Sequence, residues 1–373
     1  MNILVTGSEG FIGQNLCVLL KSKGFSVMSY DINKSEDDLI GYINSADFVI
    51  HLAGINRPLN YDEFYNGNTN FTKRMVDLIV RSKKSIPILF SSSTQAELDS
   101  DYGKSKRMAE EYLFEVMEKT NLPVIVYRLT NVFGKWCRPN YNSVVATFCH
   151  NIACDLPIEI RDKDYIIKLV YVDDVVKEFM RCVSERKTSY TKEIREVGPT
   201  YSLSLGSLAD RLYGFKNTRK SLFMPNFETD FDRKLYATFL SYYGIDKLSY
   251  NLGMNNDDRG SFTELFKTLT NGQISVNVSK PGITKGNHYH HTKNEKFVVV
   301  NGKCEIKFRK IGTKDVYVYQ VEDSEIQVID IPPGYAHSIK NIGITDSVTI
   351  IWASDIYDKE NPDTYYEEVE KYE

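Results

Sequence analysis

No stretch of this chain stays apolar for the roughly 18–20 residues that a membrane-spanning helix needs, so no membrane partner is expected. The start, MNILVTGSEG, lacks the basic flank and apolar core of a secretory leader and reads as a strand from residue 2. Cysteine is sparse and scattered (Cys17, Cys137, Cys149, Cys154, Cys182, Cys304), with no CxxC pair. Without a leader, these read as reduced packing thiols in a cytoplasmic protein. An excess of one charge is also missing. Lys and Arg number 46 against 50 Asp and Glu, and a net charge of −4 gives no hint of a nucleic-acid partner. Only the acidic, Tyr-rich tail YYEEVEKYE is strongly biased, and it reads as a solvated end or, if its tyrosines are buried, a packing arm. What is present is globular: 42% hydrophobic and 26% charged over 373 residues. That is too long for one ordinary core, so two domains are expected, 1–245 and 246–373. We find no internal repeat.

Histidine is scarce too, yet four of the six (His288, His290, His291, His337) fall in one region. In PGITKGNHYHHTKNEKFVVVNG, His288 and His290 lie two apart, which on a strand turns both towards one spot. Glu295 can join them from the next turn or strand. His337 follows in PPGYAHSIKN, just after the turn-forming Pro332 and Gly334. Two or three imidazoles and one carboxylate suit a borderline divalent ion such as zinc, with a position left open. The bland alternative is an exposed His pair in a loop, and the clustering argues against it. The series Gly282, His288, His290, Glu295, Gly302 resembles the first motif of the cupin family. Pro332, Gly334, His337 and Asn341 resemble the second, with Ile326 in place of its leading glycine. The resemblance implies a double-sheet jelly-roll barrel with the ligands at its mouth. Strands rich in Val, Ile and Thr (QISVNV, KFVVV, CEIKF, DVYVYQV, EIQVIDI, SVTIIWA) agree with an all-β barrel. The run DDRGSFTEL…GQISVNV also resembles cupin epimerases acting on 4-keto-6-deoxy nucleotide sugars. In those, the residue matching His288 is the proton-abstracting base, so His288 reads as ligand or base.

The first half alternates instead. Strand Asn2–Val5 opens on TGSEGFIG, with Gly7, Gly10 and Gly13, and helix Phe11–Lys21 follows. Such a turn lets backbone amides approach a pyrophosphate at the positive helix end. Strand FSVMSY runs into Asp31, near the spacing of a ribose-binding acid, and ADFVI runs into His51-Leu52-Ala53-Gly54. Helix Tyr61–Ser82, strand Ile86–Phe90, helix Tyr102–Lys119 and strand Pro123–Tyr127 continue the series. This predicts a Rossmann-like, doubly wound parallel sheet (α/β) binding at the carboxyl ends of its strands. There lie SSSTQA and then Tyr102-Gly103-Lys104-Ser105-Lys106. At i and i+4 the phenol and ammonium share a helix face, and the Lys charge is expected to depress the Tyr102 pKa for proton exchange with a substrate oxygen. Ser93 or Thr94 can orient that oxygen.

TGSEGFIG, HLAG, Asn68, SSST, YGKSK, RLTNVFG (128–134) and YVDDV (171–175) together resemble the extended short-chain dehydrogenase/reductases. The resemblance implies a catalytic triad of Ser93, Tyr102 and Lys106, with Lys106 also touching the nicotinamide ribose. It places Gly7, Gly10, Phe11, Ile12, Leu52, Ala53 and Asn68 along the cofactor, together with Gly13, Asp31 and Gly54. The segment between the serines and Tyr102 is shorter than the family pattern, which leaves Ser93 against Thr94 open. Asp31 favours an unphosphorylated ribose, while Lys34 and Arg57 lie in loops that can meet a 2′-phosphate. NADPH is expected, with NADH as the alternative. Arg138, Asn142 and His150 fall in the substrate-facing segment, each read singly as structural.

Reductase first and cupin second, the whole chain resembles the bifunctional capsular polysaccharide enzymes of the UDP-N-acetyl-L-fucosamine pathway. That implies C3 epimerisation of a UDP-linked 4-keto-6-deoxy-N-acetylhexosamine, then NADPH-dependent C4 reduction to UDP-N-acetyl-6-deoxy-talosamine. It further implies a zinc ion and a homodimer. The alternatives are a single-activity nucleotide-sugar 4-ketoreductase whose cupin senses or dimerises, and a tightly NAD-bound epimerase or dehydratase.

Overall fold

The computed structural model describes residues 1–58, 60–185 and 192–371. It divides into two compact units, Met1–Phe215 with Phe227–Gly244, and Lys216–Asn226 with Ile245–Glu373. The segment 216–226 joins the second unit through its backbone, because Lys267 N donates to Leu222 O and Met224 N donates to Lys267 O.

The first unit begins β1 (Asn2–Thr6), α1 (Phe11–Ser22), β2 (Ser26–Tyr30), α2 (Glu36–Ser45) and β3 (Phe48–His51). Next come α3 (Asp62–Phe64), a π-turn at Tyr65–Asn70, α4 (Phe71–Arg81), β4 (Ile88–Ser93), α5 (Asp101–Thr120) and β5 (Val124–Leu129). It closes with β6 (Asn131–Phe133), α6 (Val144–Ala153), β7 (Ile166–Tyr171), α7 (Val172–Glu185), β8 (Ile194–Arg195), β9 (Thr200–Ser204), α8 (Leu205–Ser221) and α9 (Asp230–Leu240). The main sheet runs β2-β1-β3-β4-β5-β8 and every pair in it is parallel. Its central strands β1, β3, β4 and β5 are mainly apolar because both faces are covered. One side packs Leu16, Leu20, Val176 and Phe179, and the other packs Leu39, Met75, Ile79 and Leu113. The order reverses between β1 and β3, and the loops after these strands define the ligand crevice.

The expected single helix over 61–82 is interrupted by the π-turn. Asn68 causes the interruption: its side chain exchanges hydrogen bonds with the Ile55 backbone, N–H to Oδ1 at 2.8 Å and Nδ2 to O at 2.9 Å. Such π-turns gather at functional sites.

The second unit holds β10 (Met254–Asp257), β11 (Gly260–Lys267), β12 (Gln273–Ser279), β13 (Thr284–Tyr289), β14 (Glu295–Asn301) and β15 (Lys303–Lys310). It continues through β16 (Val316–Glu322), β17 (Val328–Ile331), β18 (Tyr335–Asn341), β19 (Ser347–Ala353) and β20 (Tyr365–Tyr366). Two antiparallel sheets form, β10-β11-β12-β19-β14-β17 and β16-β15-β18-β13-β20, as a cupin barrel requires. Sequence reading passed over β10, β11, β18 and β20 and placed β13 only through its His288 and His290 spacing, because glycines, histidines and other polar residues hide the usual alternation. Among the described residues no helix is long and apolar enough to cross a membrane.

The tail is a packing arm, with Val369 buried while Tyr365 and Tyr366 stay exposed. Its last two residues lie outside the described ones. The anchor is Arg309, itself 1% exposed, which donates to Val369 O at 3.0 Å, Glu368 O at 2.7 Å and Glu367 Oε1 at 2.6 Å. Arg309→Met strands these acceptors, so a loss of about 3 kcal/mol is expected in denaturant unfolding of the second unit. An unchanged midpoint contradicts this role.

Candidate active sites

In the first unit the cradle is built by close approach. Gly7 has φ +69°, and a Cβ there would lie 2.7 Å from Ala53 N; one at Gly13 would lie 2.1 Å from Gly7 O. Helix α1 starts at Gly10 with no side-chain cap, leaving its first amides facing the turn. Asp31 stands at the end of β2 and accepts from Glu9 N at 2.8 Å, tying the ribose-side loop to the glycine turn. Beneath the cradle, the buried His51 bonds Thr6 Oγ1 at 2.6 Å and Thr72 Oγ1 at 2.9 Å, and burial pulls it down to about 3, so it is a neutral structural brace.

Helix α5 is capped by Ser100, which accepts from Gly103 N at 3.1 Å, and this sets Tyr102 and Lys106 in its first turns. Ser93 Oγ accepts from Gln95 N at 3.1 Å, and Ser93 favours the ionised form of the Tyr102 phenol. Thr94 turns instead to Leu129 O at 3.5 Å. The depression of the Tyr102 pKa that the spacing implied is not seen. Lys106 Nζ donates to Ser91 O at 3.0 Å and lies 4.9 Å from the Phe90 ring centre. Burial raises the Tyr102 pKa, with Ser93 drawing it back, and burial lowers Lys106 to about 8 despite the charge of Glu110. Asn68 Nδ2 donates to Ser105 Oγ at 2.9 Å, and a Cβ at Gly54 would meet Asn68 Oδ1 at 2.8 Å and Lys106 Nζ at 3.0 Å. Gly54, Asn68 and Lys106 therefore converge.

In the second unit, His288, His290, Glu295 and His337 each offer a ligand atom, all within 4.8 Å of one another. Simple alternation does not do this. A bulge between Gly286 and His288 re-aims β13, and His288 pairs opposite His337 of β18. Gly286 is required there, since a Cβ would come 2.8 Å from His337 O. Each ring is steered by a backbone carbonyl: His290 Nδ1 by Asp363 O at 2.5 Å, His337 Nδ1 by Tyr335 O at 3.3 Å, and His288 by Gly286. Donating to those carbonyls from Nδ1 turns the Nε2 atoms of His290 and His337 towards Glu295 Oε2, 3.4 Å from each. Those three atoms are buried without a hydrogen-bond partner. Burial lowers His288 to about 4, reinforced by His337 and His290. Burial pushes the Glu295 carboxyl up, but the His290 and His337 rings hold it well below the usual range. Three imidazoles around one carboxylate, with orphaned inward atoms, fit a divalent cation.

Residues 3–198 match the model of the NAD dependent epimerase/dehydratase family, and residues 255–365 match the polysaccharide biosynthesis C-terminal domain. The chain belongs to the NAD dependent epimerase/dehydratase family. A Pseudomonas aeruginosa relative, UDP-2-acetamido-2,6-beta-L-arabino-hexul-4-ose reductase, is 45% identical over 366 residues, 98% of each chain. The crystal structure of the Staphylococcus aureus capsular polysaccharide assembling protein CapF is 44% identical, with a TM-score of 0.92 over 99% of this chain and 100% of that one. The Bacillus subtilis spore coat polysaccharide biosynthesis protein SpsL is 31% identical over 121 residues, 29% of this chain and 79% of its own.

Within this family member, the residues flagged for a 2′-phosphate or substrate scatter. Lys34 is exposed, whereas Arg57 and Arg138 both lie over the Tyr141 ring, at 5.7 and 5.2 Å. His150 faces Cys154 at 3.9 Å, and Asn142 is exposed. Asp363 was missed. Its carbonyl orients His290, and its carboxylate accepts from His291, Thr292 and Lys293 N–H at 2.9–3.0 Å, fixing the turn after His290. Nothing in the local sequence links residue 363 to 290.

Proposed function

We propose that the chain is a bifunctional nucleotide-sugar enzyme supplying a capsular polysaccharide precursor. In this reading the second unit epimerises C3 of a UDP-4-keto-6-deoxy-N-acetylhexosamine. The first unit then reduces the C4 ketone with NADPH to UDP-N-acetyl-6-deoxy-talosamine. The buried quartet in the barrel carries the reading, since a ketoreductase alone has no use for it. Full-length likeness to the P. aeruginosa reductase and to CapF supports the substrate class.

The C4 carbonyl acidifies the C3 proton, and a proton returned to the opposite ring face inverts C3. A divalent ion, zinc by its donor set, would be held by His288, His290, Glu295 and His337 and would supply a Lewis acid. The chain's own contribution is to fix His290 and His337 with Nε2 inward and keep Glu295 ionised. In the first unit, NADPH would be held at the Gly7, Gly10 and Gly13 turn and would supply a hydride to the carbonyl carbon. Tyr102 gives its phenolic proton to the carbonyl oxygen, and Ser93, which favours the ionised phenol, orients the oxygen. Reduction removes the acidifying ketone and so traps the epimerised product. We read the molecule as a cytoplasmic homodimer, supported by its free cysteines and by the half-exposed Tyr317, Val318 and Tyr319 on edge strand β16, a surface suited to a second copy.

The test follows deuterium at C3 by NMR in D2O, and NADPH absorbance, on a UDP-4-keto-6-deoxy-N-acetylhexosamine. Exchange without NADPH, followed by oxidation once it is added, is expected. Oxidation with no exchange would leave only the reductase, and exchange with no net oxidation would remove it.

A further inference from the structure

The inside of the barrel is not uniformly apolar. One part is ordinary core, with Phe297, Val299, Ile306, Phe308 and Ile331 buried together. Strand β12 reverses the pattern. In Gln273–Ser279 the buried positions are Gln273, Ser275, Asn277 and Ser279, while Ile274, Val276 and Val278 are only half-buried on the other face. A polar group placed inside is costly unless it is hydrogen-bonded. Three of the four are. Gln273 Oε1 accepts from Tyr357 N at 3.1 Å, Asn277 accepts from Lys285 Nζ at 2.8 Å, and Ser279 Oγ accepts from Asn277 Nδ2 at 3.1 Å. Ser275 is not: it is 1% exposed and its Oγ has no partner.

The register places this hydroxyl relative to the quartet. Glu295 and Gln273 both pair with Ala353, so they share the inner face and one level. One row further in, Phe297 and Ser275 both pair with Ile351. Two strand spacings, roughly 10 Å, therefore separate the Ser275 and Glu295 strands. On the far side, Glu264 pairs with Ser275 and Lys267 with Gln273, and the two charges meet at 2.7 Å. That wall holds a carboxylate and an ammonium paired with each other and a buried hydroxyl without a partner, and its charges cancel. It matches a neutral ligand bearing hydroxyl and amide groups better than a diphosphate.

We propose that Ser275, with the Glu264–Lys267 pair, forms the subsite that holds the hydroxyl and acetamido groups of the sugar while the quartet works at C3. This rests on the epimerase reading of the barrel. Ser275 is a positioning residue, so its removal should appear in binding rather than in assembly. For Ser275→Ala, an increase of about 10-fold is expected in the KM for C3 exchange, with kcat changed less. Metal content and reduction of an already epimerised ketone should be unchanged, and thermal unfolding should not fall, because the hydroxyl lost has no partner. Ser275→Thr, which keeps the hydroxyl, should stay within about 3-fold of the parent. An unchanged KM in Ser275→Ala, or a rise accompanied by lower stability that Ser275→Thr shares, overturns the proposal. Saturation-transfer NMR with the same UDP-ketosugar separates the two claims. If the parent shows no C3 exchange the epimerase reading fails, while acetamido contacts that vanish in Ser275→Ala still uphold the subsite and contacts that persist overturn it.

Discussion

Replacing His290 with alanine is expected to cut C3 exchange at least 100-fold and to empty the barrel of metal, while the first unit's reduction of an epimerised ketone stays within about 2-fold. The expectation follows from how completely this ring is committed. It is 2% exposed, with Nδ1 on Asp363 O at 2.5 Å and Nε2 buried without a partner, 3.4 Å from Glu295 Oε2. Its loss takes away one of four donors and one of the two rings that hold the Glu295 carboxyl down. His291→Ala serves as a control, since that exposed ring meets Tyr289 and Tyr365 edge-on and lies outside the quartet. Metal analysis of purified protein and deuterium at C3 are the readouts. A His290→Ala protein that keeps both metal and exchange sinks the assignment. The same pair of readouts separates the two roles of His288. As a ligand, its alanine variant loses metal and exchange together. As a base, it loses exchange and keeps the metal.

The quartet was legible because ligand chemistry restricts residue type, and four of the six histidines lie close to it in sequence or within it. How the four converge was not legible. Spacing suggested that His288 and His290 alternate along a strand, but β13 ends at Tyr289, and convergence depends on a bulge and on a carbonyl 73 residues away. The parallel sheet was legible because burial on both faces forces mainly apolar central strands. The barrel strands were read where Val and Ile mark them, and β10, β11, β18 and β20 were missed where polar or glycine positions hide the alternation. The YxxxK spacing did put Tyr102 and Lys106 on one helix, yet their ionisation is set by burial, which the sequence does not display. The tail's docking was equally hidden, because its partner, Arg309, sits 60 residues upstream of Val369 and looks like any strand arginine.

Lys106→Met should lower reduction at least 100-fold and yet make the first unit more stable at neutral pH. Lys106 is 4% exposed, and its ammonium is drawn from 10.5 to about 8, mainly by desolvation, with Glu110 offsetting part. Every tenfold loss of proton affinity is worth about 1.4 kcal/mol, so keeping this charge inside the fold costs roughly 3 kcal/mol at pH 7. Methionine fills much the same volume without that cost, though Ser91 O loses its donor, for which about 1–2 kcal/mol is subtracted. A net gain of about 1–2 kcal/mol is left. The sign fixes the pH window. The folded pKa lies below the unfolded one, so the parent binds fewer protons folded than unfolded between about 8 and 10.5, and its stability climbs with pH across that range. The advantage of the variant should therefore be full below pH 8 and fade as pH approaches 10.5. Denaturant unfolding at pH 7 and pH 10, read beside NADPH oxidation, checks both halves. A variant that is less stable at pH 7, or whose difference ignores pH, shows that Lys106 is held as an ordinary structural cation and not as a charge kept at a cost for the carbonyl chemistry beside Tyr102.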